Sequence, residues 1–170
     1  MNKKSLHTQH KIEKALFKLL ETKSYPEITI SQITRLAKVS RTSFYRNYEQ
    51  KDSVISEFIK RRYDRLILDI KENHLDDLSK QLIAYLSYFK ENPTIMPRLL
   101  DAGFEGMLLN EQTIYLNNLL QICHPGLKLE DYAISYQSGG IFMLLVWWVK
   151  QNYQTPLEDL VAYAHKHIMI

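Results

Sequence analysis

Residues 28–51, ITISQITRLAKVSRTSFYRNYEQK, constrain the fold of this chain more than any other segment. The pattern predicts two short helices joined by a tight turn. Thr29 and Gln32 have the spacing of a capping box, in which a hydroxyl and a side-chain carbonyl accept from each other's backbone N–H groups. Ser40 is a favourable N-cap for the second helix, which we predict over residues 41–48.

The second helix of this segment has one apolar side and several polar sides. Phe44 and Tyr48 lie four residues apart, so both can face a core. The other positions carry hydrogen-bond donors and an aromatic ring suited to phosphates and to base edges in the major groove. A surface helical hairpin with mixed polar residues is the alternative. The predicted DNA-contacting residues are Thr29, Ser31, Arg41, Thr42, Ser43, Tyr45, Arg46, Asn47 and Lys51.

This segment resembles the DNA-binding domain of the TetR family of bacterial transcriptional regulators, over about the first 60 residues. Lys38 stands in the turn where the family usually has glycine, and a lysine in a left-handed conformation there is mildly strained. The resemblance implies a helix-turn-helix regulator, usually a repressor, that binds operator DNA. The matching residues are Ile28, Thr29, Ile30, Ile33, Ala37, Val39, Ser40, Phe44, Tyr45, Tyr48 and Lys51.

Positive charge is concentrated in the first third of the chain. Residues 1–62 carry 14 Lys and Arg against 6 Asp and Glu, a net charge of +8. Residues 63–170 carry 8 against 13, a net charge of −5, so that the whole chain has +3. Basic charge collected on one small domain is typical of proteins that contact nucleic-acid phosphates. A solvated basic face without a partner is the alternative, and the helix pattern of the same region favours DNA.

Length and composition indicate an all-α protein of about nine helices. The 170 residues include only 5 Gly and 5 Pro, with long apolar-periodic segments between them. We predict a helix-turn-helix DNA-binding domain over residues 1–50. A helical regulatory and dimerisation domain is predicted over residues 51–170, and a long fourth helix connects the two.

The chain also has the features of a cytoplasmic protein. One cysteine excludes an intrachain disulfide, which suits a reducing compartment. The first 20 residues contain no uncharged apolar core of the signal-peptide type. The longest apolar run, residues 141–149, has nine residues, which is less than half of a membrane span.

The last two predicted helices have the pattern of a subunit interface. Gly139 and Gly140 interrupt a helical pattern, and each costs about 1 kcal/mol relative to alanine. Close approach of a second backbone explains that loss, and the surrounding helix, which includes Met143 and Trp147, is apolar on nearly every side. A monomeric core helix with a glycine kink is the alternative. In the resembling family the two C-terminal helices form a homodimer interface.

The middle of the chain carries aromatic and methionine residues that can line an effector cavity. Such stripes at helical spacing are also typical of a plain core. The C-terminal domain is short for the family and resembles a compact subgroup, some members of which act through protein partners. We therefore predict either a small-molecule effector or a protein partner. The candidate pocket residues are Tyr85, Phe89, Met96, Phe104, Met107, Tyr115 and Trp147.

Other chemistry has little support in the sequence. The pairs His7/His10 and His165/His167 have no Cys or carboxylate at metal-site spacing, so no metal and no cofactor is predicted. An enzyme that modifies nucleic acid would need a metal or carboxylate cluster, and the sequence shows no such cluster, so we do not predict an enzyme. A co-regulator or protein-interaction module on the same fold, controlled by a protein partner, remains the alternative function.

Overall fold

The structure is a computed structural model that describes residues 3–123, 125–126 and 129–167. Every regular element in these ranges is helical, with nine α-helices and one 3-10 turn, which confirms the predicted all-α class. No helix within them is both long and apolar enough to cross a membrane. The elements are α1 (Lys3–Leu19), the 3-10 turn (Tyr25–Glu27), α2 (Ile30–Ala37), α3 (Arg41–Tyr45), α4 (Lys51–Glu72), α5 (Leu78–Glu91), α6 (Ile95–Asp101), α7 (Glu105–Cys123), α8 (Asp131–Lys150) and α9 (Leu157–His167).

The chain divides into two compact units, Met1–Arg61 and Arg62–Ile170. The division lies within α4, whereas the sequence suggested a boundary after residue 50. The first turns of α4 pack into the first unit, since Val54 and Ile55 are fully buried. The ring of Phe58 also lies 4.6 Å from that of Phe17 on α1, centroid to centroid. A helix that contributes to both cores explains why no linker composition marks the boundary.

The core of the first unit is built from one side of each short helix. Ile12 and Leu16 of α1 are fully buried, as the spacing of apolar residues on that helix requires. Ile33 from α2 and Phe44 from α3 are also fully buried. The inner faces of α1, α2 and α3 therefore form one small core, which fixes the outer face of α3.

The predicted second helix of the helix-turn-helix segment ends earlier than expected. Regular α-helix stops at Tyr45, although we predicted it over residues 41–48. The carbonyl oxygen of Phe44 accepts from the backbone N–H groups of both Asn47 and Tyr48, at 2.9 Å each. This shared acceptor tightens the last turn, and Tyr48 still reaches the core because it remains 3% exposed.

The second unit is a helical bundle in which α7 packs on α8 and α5 packs on α9. Leu86, Leu108, Leu145 and Trp148 are at its centre, each at most 1% exposed. The indole Nε1–H of Trp148 donates to the carbonyl oxygen of Thr155 at 2.8 Å. This bond satisfies the one polar group of a buried tryptophan and fixes the turn between α8 and α9.

Candidate nucleic-acid interface

The helix-turn-helix geometry predicted from residues 28–51 is present. Thr29 caps α2, and its side chain accepts from the backbone N–H of Gln32 at 3.2 Å, while Gln32 Oε1 accepts from the N–H of Thr29 at 2.9 Å. Ser40 caps α3 and accepts from the N–H of Ser43 at 3.0 Å. Lys38 ends α2 with φ of 54°, a left-handed conformation that L-residues adopt at a cost. Both caps and the turn are confirmed.

Four of the predicted DNA-contacting side chains project outward from α3 and its end. They are exposed, because Phe44 takes the inward position of the helix. Within the described residues, the side chain of neither arginine of this set makes a hydrogen bond or ion pair, so both guanidinium groups are available to a ligand. The exposed residues are Arg41, Thr42, Tyr45 and Arg46.

Two further predicted contacts, Ser43 and Asn47, are half-buried and hold the helix together. Ser43 Oγ accepts from the hydroxyl of Ser40 at 3.0 Å. Asn47 Nδ2 donates to the carbonyl oxygen of Ser43 at 2.7 Å, and its Oδ1 accepts from Ser5 at 2.6 Å. The amide of Asn47 therefore ties the end of α3 to the start of α1. Thr29 and Ser31, at the start of α2, are exposed.

Lys51 has an intramolecular role that the sequence did not indicate. Its ammonium group donates to the carbonyl oxygens of Tyr25 at 2.8 Å and Ile28 at 2.9 Å. It also lies 4.2 Å above the centre of the Tyr25 ring. Two of its three N–H groups are thus used within the chain, and contact with a phosphate through the third stays a prediction.

Tyr25 and Asp52 form a second contact at the start of α4. The hydroxyl of Tyr25 donates to the carboxylate of Asp52. Burial raises the pKa of the Tyr25 hydroxyl well above its usual range, and the hydrogen bond to Asp52 raises it further. The phenol therefore stays protonated and keeps donating, so the turn after α1 is fixed to α4. No spacing rule connects residues 25 and 52, which is why sequence reasoning missed this pair.

A second exposed surface lies on α8 and α9, where the sequence predicted a subunit interface. Tyr136 is 73%, Met143 60%, Trp147 45% and Tyr163 59% exposed, although all four are large and mainly apolar. They line an open groove of about 720 Å³ that also includes Gly139 and Gly140. We call this surface the α8–α9 face. The opposite side of α8, with Trp148 fully buried, belongs to the core.

The two glycines of α8 have no explanation inside the chain. A methyl group added at Gly139 or at Gly140 would meet nothing within 4 Å. Neither glycine has the left-handed backbone that favours this residue. Their helix-weakening cost of about 1 kcal/mol each is therefore not offset by any contact among the described residues.

The candidate effector-pocket residues are only partly brought together. Tyr85 and Tyr115 line a cavity of about 30 Å³ between α5, α7 and α8, which is room for about one water molecule. Phe89, Met96 and Phe104 are buried but do not line this cavity, and Met107 is half-buried. Trp147, predicted for both pocket and interface, lines the outer groove instead. In this conformation the cavity is too small for an effector of usual size.

Two curated relatives resemble the chain in sequence. DhaS of Lactococcus lactis subsp. lactis, an HTH-type transcriptional activator of the dhaKLM operon, is 29% identical over 133 residues, which cover 76% of this chain and 68% of DhaS. YxbF of Bacillus subtilis, an uncharacterized HTH-type transcriptional regulator, is 27% identical over 175 residues, which cover 94% of this chain. The match takes in 44% of YxbF, so the chain spans less than half of that relative. No family model matches the chain.

Solved structures resemble the chain over nearly its full length. A TetR transcriptional regulator from Streptococcus agalactiae superposes with a TM-score of 0.70 at 23% identity, covering 98% of this chain and 96% of that one. The structure of DhaS gives 0.65 at 20% identity, covering 95% and 93%. FadR from Bacillus halodurans, a fatty acid degradation regulator, gives 0.60 at 15% identity, covering 95% and 94%. The chain has the all-α fold of the TetR regulators, and the resemblance to that family indicated by residues 28–51 is confirmed.

Proposed function

We propose that this protein is a transcriptional regulator that binds a palindromic DNA operator as a homodimer. The observation that carries the proposal is a set of exposed donors on a helix whose inner side is fixed in a core. Such a helix can enter the major groove without rearranging, since the side chains of its donors make no hydrogen bond or ion pair with the residues that the structure describes. These donors are Arg41, Thr42, Tyr45 and Arg46.

The roles of these residues follow from their positions on the helix. Arg41 and Thr42 are in the first turn of α3, the part of a recognition helix that usually reads base edges. Tyr45 and Arg46, at the helix end, are within reach of the backbone phosphates on either side of the groove. Phosphate contacts set the register and most of the affinity, while base contacts set the sequence preference.

The homodimer is supported by the α8–α9 face. Large apolar side chains exposed side by side are unfavourable in water, and a second copy that covers them removes that cost. Such a dimer also explains Gly139 and Gly140, because residues without a side chain let two helix backbones approach closely. A two-fold dimer presents two recognition helices to successive major grooves, about 34–36 Å apart. This geometry requires a palindromic operator.

The control of this regulator can use a small molecule or a protein. The cavity of about 30 Å³ has to open before it can take an effector, since ligand pockets usually have about 300–1,000 Å³. This small volume favours the second candidate, in which the same fold is a co-regulator controlled by a protein partner. The two candidates differ in whether a small molecule alone changes DNA affinity.

Whether the protein represses or activates transcription is left to experiment. The resemblance to the TetR family indicated repression, whereas the relative DhaS is named as an activator. A duplex DNA ligand also implies a cytoplasmic location. A reporter gene placed behind the bound sequence would record repression as reduced expression and activation as increased expression.

The direct test is a selection of duplexes from a random-sequence library with the full chain. We expect an inverted repeat, bound by two protomers, whose affinity falls steeply as salt increases. A scrambled duplex of equal length is the control. Equal affinity for both duplexes would contradict the proposal and leave the protein-interaction function.

A further inference from the structure

Three side chains from separate parts of the first unit meet at one buried carboxylate. Glu13 on α1 is 8% exposed, and its Oε1 accepts from the hydroxyl of Tyr48 at 3.0 Å. The same oxygen accepts from the guanidinium of Arg61 on α4. We call this group the Glu13 cluster. Glu13 sits between the apolar residues Ile12 and Ala15 on the inner side of its helix, where a carboxylate is unusual.

The chemistry of the cluster makes each partner necessary. A carboxylate removed from water is costly unless it is paired and hydrogen-bonded. Arg61 supplies the opposite charge, and its side chain is still 30% exposed, so part of the guanidinium remains hydrated. Burial raises the pKa of the Tyr48 hydroxyl well above its usual range, and the charge of Glu13 raises it further. Tyr48 is therefore a permanent donor to Glu13.

The three residues of the Glu13 cluster lie on segments that matter for DNA recognition. Tyr48 lies three residues after the end of the recognition helix α3, and Arg61 is the last residue of the first unit. The helix that carries Arg61 continues through residue 72 into the second unit. One carboxylate on α1 therefore connects the end of the recognition helix to the helix shared by both units.

A second attachment holds α4 at its beginning. Lys51 donates to the carbonyl oxygens of Tyr25 and Ile28, and Asp52 accepts from the hydroxyl of Tyr25. From Lys51 to Arg61 the helix rises about 15 Å, at 1.5 Å per residue. Two attachments this far apart fix both the position and the rotation of this part of α4 against the other helices of the first unit.

We propose that Glu13 is a positioning residue for DNA recognition, which locks the recognition helix to the first eleven residues of α4 so that they move as one rigid body. This inference rests on the proposed function, DNA binding through α3. A signal that arrives along α4 then reorients the whole first unit instead of displacing α3 within it. Sequence preference depends on Glu13, although Glu13 is buried on α1 and is not part of the outer face of α3.

Electrostatics and positioning predict opposite effects for one substitution. Glu13→Gln removes a negative charge from the DNA-binding unit, which by charge alone strengthens binding to any duplex. Loss of positioning instead weakens binding to the preferred duplex. The matched control is Glu57→Gln on α4, which removes the same charge from a half-exposed carboxylate whose ion-pair distance to Lys60 is 3.8 Å. Positioning is unaffected there.

The measurement is the ratio of affinities for two duplexes, the one selected by the wild type and a scrambled one, at a temperature where circular dichroism shows each variant folded. For Glu13→Gln we expect this ratio to fall about tenfold, within the range known for coupled groups. For Glu57→Gln we expect an unchanged ratio. A purely structural role lowers both affinities by the same unfolded fraction and leaves the ratio unchanged.

Tyr48→Phe keeps the proposal testable where Glu13→Gln fails to fold, because it removes only one hydroxyl. We expect a smaller fall in the ratio, and a double variant that loses no more than Glu13→Gln alone, since both act through one contact. An unchanged ratio in the folded variants overturns the positioning role. A wild type that does not discriminate between the duplexes overturns the proposed function instead, so the two failures are distinguishable.

Discussion

The outer face of α3 and the α8–α9 face are both exposed, yet they differ in chemistry. The first presents Arg41 and Arg46, whose charges are well hydrated in the free protein. The second presents Met143 and Trp147, which are 60% and 45% exposed and whose surface is mainly apolar. A polar face can remain open until its ligand arrives, whereas an apolar face of this kind gains free energy when a partner covers it.

This difference predicts that the two proposed interactions, dimerisation and DNA binding, respond differently to salt. Burial of apolar area gives a free energy of about 25 cal/mol per Å², with little dependence on salt. Contact with phosphates instead weakens steeply as salt rises, because it depends on the release of counterions. We therefore expect the dimer to persist at salt concentrations that release DNA. Substitution of Gly140 should disturb only the α8–α9 face, and substitution of Arg41 or Arg46 only the α3 face.

The largest effect is expected at the glycines of the α8–α9 face. Gly140→Leu places a large side chain where two helix backbones are proposed to meet, once from each protomer. With overpacking at about 1–3 kcal/mol per site, the two copies cost about 2–6 kcal/mol of association free energy. Sedimentation equilibrium should show monomer at concentrations where the wild type is dimeric.

A matched control for this variant is available on α7. Gly106 is also a helical glycine around which an added methyl group meets nothing within 4 Å, and it lies outside the α8–α9 groove. Gly106→Leu should leave the dimer intact. Equal effects of the two leucine substitutions, or none from Gly140→Leu, would remove the α8–α9 face as the interface.

The next largest effect is expected on the α3 face. Arg41→Ala should cost about 1–3 kcal/mol in affinity for the selected duplex and relax the preference at one base pair of each half-site. Arg46→Ala should lower affinity for all duplexes and reduce the salt slope by about 1 per protomer. Fluorescence anisotropy over a salt series measures both quantities. Dimerisation should be unchanged in both variants. If the two variants exchanged effects, Arg46 would be the base contact and Arg41 the phosphate contact.

Lys51 fixes the start of α4 to the segment between α1 and α2, so its loss should first affect stability. Lys51→Ala removes two hydrogen bonds from a charged group, worth about 1.5–3 kcal/mol each at most, and exposes the carbonyls to water in part compensation. We expect a net loss of about 1–2 kcal/mol in urea unfolding. Lys60→Ala, on an exposed part of the same helix, removes the same charge and is the control. If Lys51→Ala changed only DNA affinity and not stability, the role of Lys51 would be a phosphate contact alone.

The smallest effect is expected at the turn between α2 and α3. Lys38 has φ of 54°, so Lys38→Gly should relieve a left-handed strain and stabilise the fold by about 1 kcal/mol. Lys38→Ala removes the same charge but keeps a Cβ atom, and we expect no such gain. The difference in melting temperature between the two variants isolates the backbone contribution. Equal melting temperatures would contradict it.

The local structure of the DNA-binding unit could be predicted because its signals are local. Thr29 and Gln32 identify the capping box, and Phe44 and Tyr48 identify the inner side of the recognition helix. These features depend on residues three or four positions apart, so a spacing rule finds them. The early end of α3 could not be predicted in this way, because it involves the carbonyl oxygen of Phe44, which accepts two backbone hydrogen bonds and leaves no mark in the sequence.

Contacts between distant segments could not be predicted in the same way. Lys51 donates to two backbone carbonyls, which every residue carries and no sequence pattern marks. Glu13 left one signal, a carboxylate on the apolar side of α1, but nothing pointed to Arg61 as its partner, 48 residues later. The small volume of the cavity depends on how neighbouring helices pack, and the stripe containing Tyr85 and Tyr115 is compatible with both a core and a pocket.

The central claim is that two copies of this chain, joined through an apolar face, read DNA with a polar one. The most direct measurement is analytical ultracentrifugation of the full chain with its selected duplex, at low and at high salt. We expect two protomers per duplex at low salt, and free DNA together with an intact protein dimer at high salt. Protein that is monomeric without DNA, or a complex that ignores both sequence and salt, would contradict the claim.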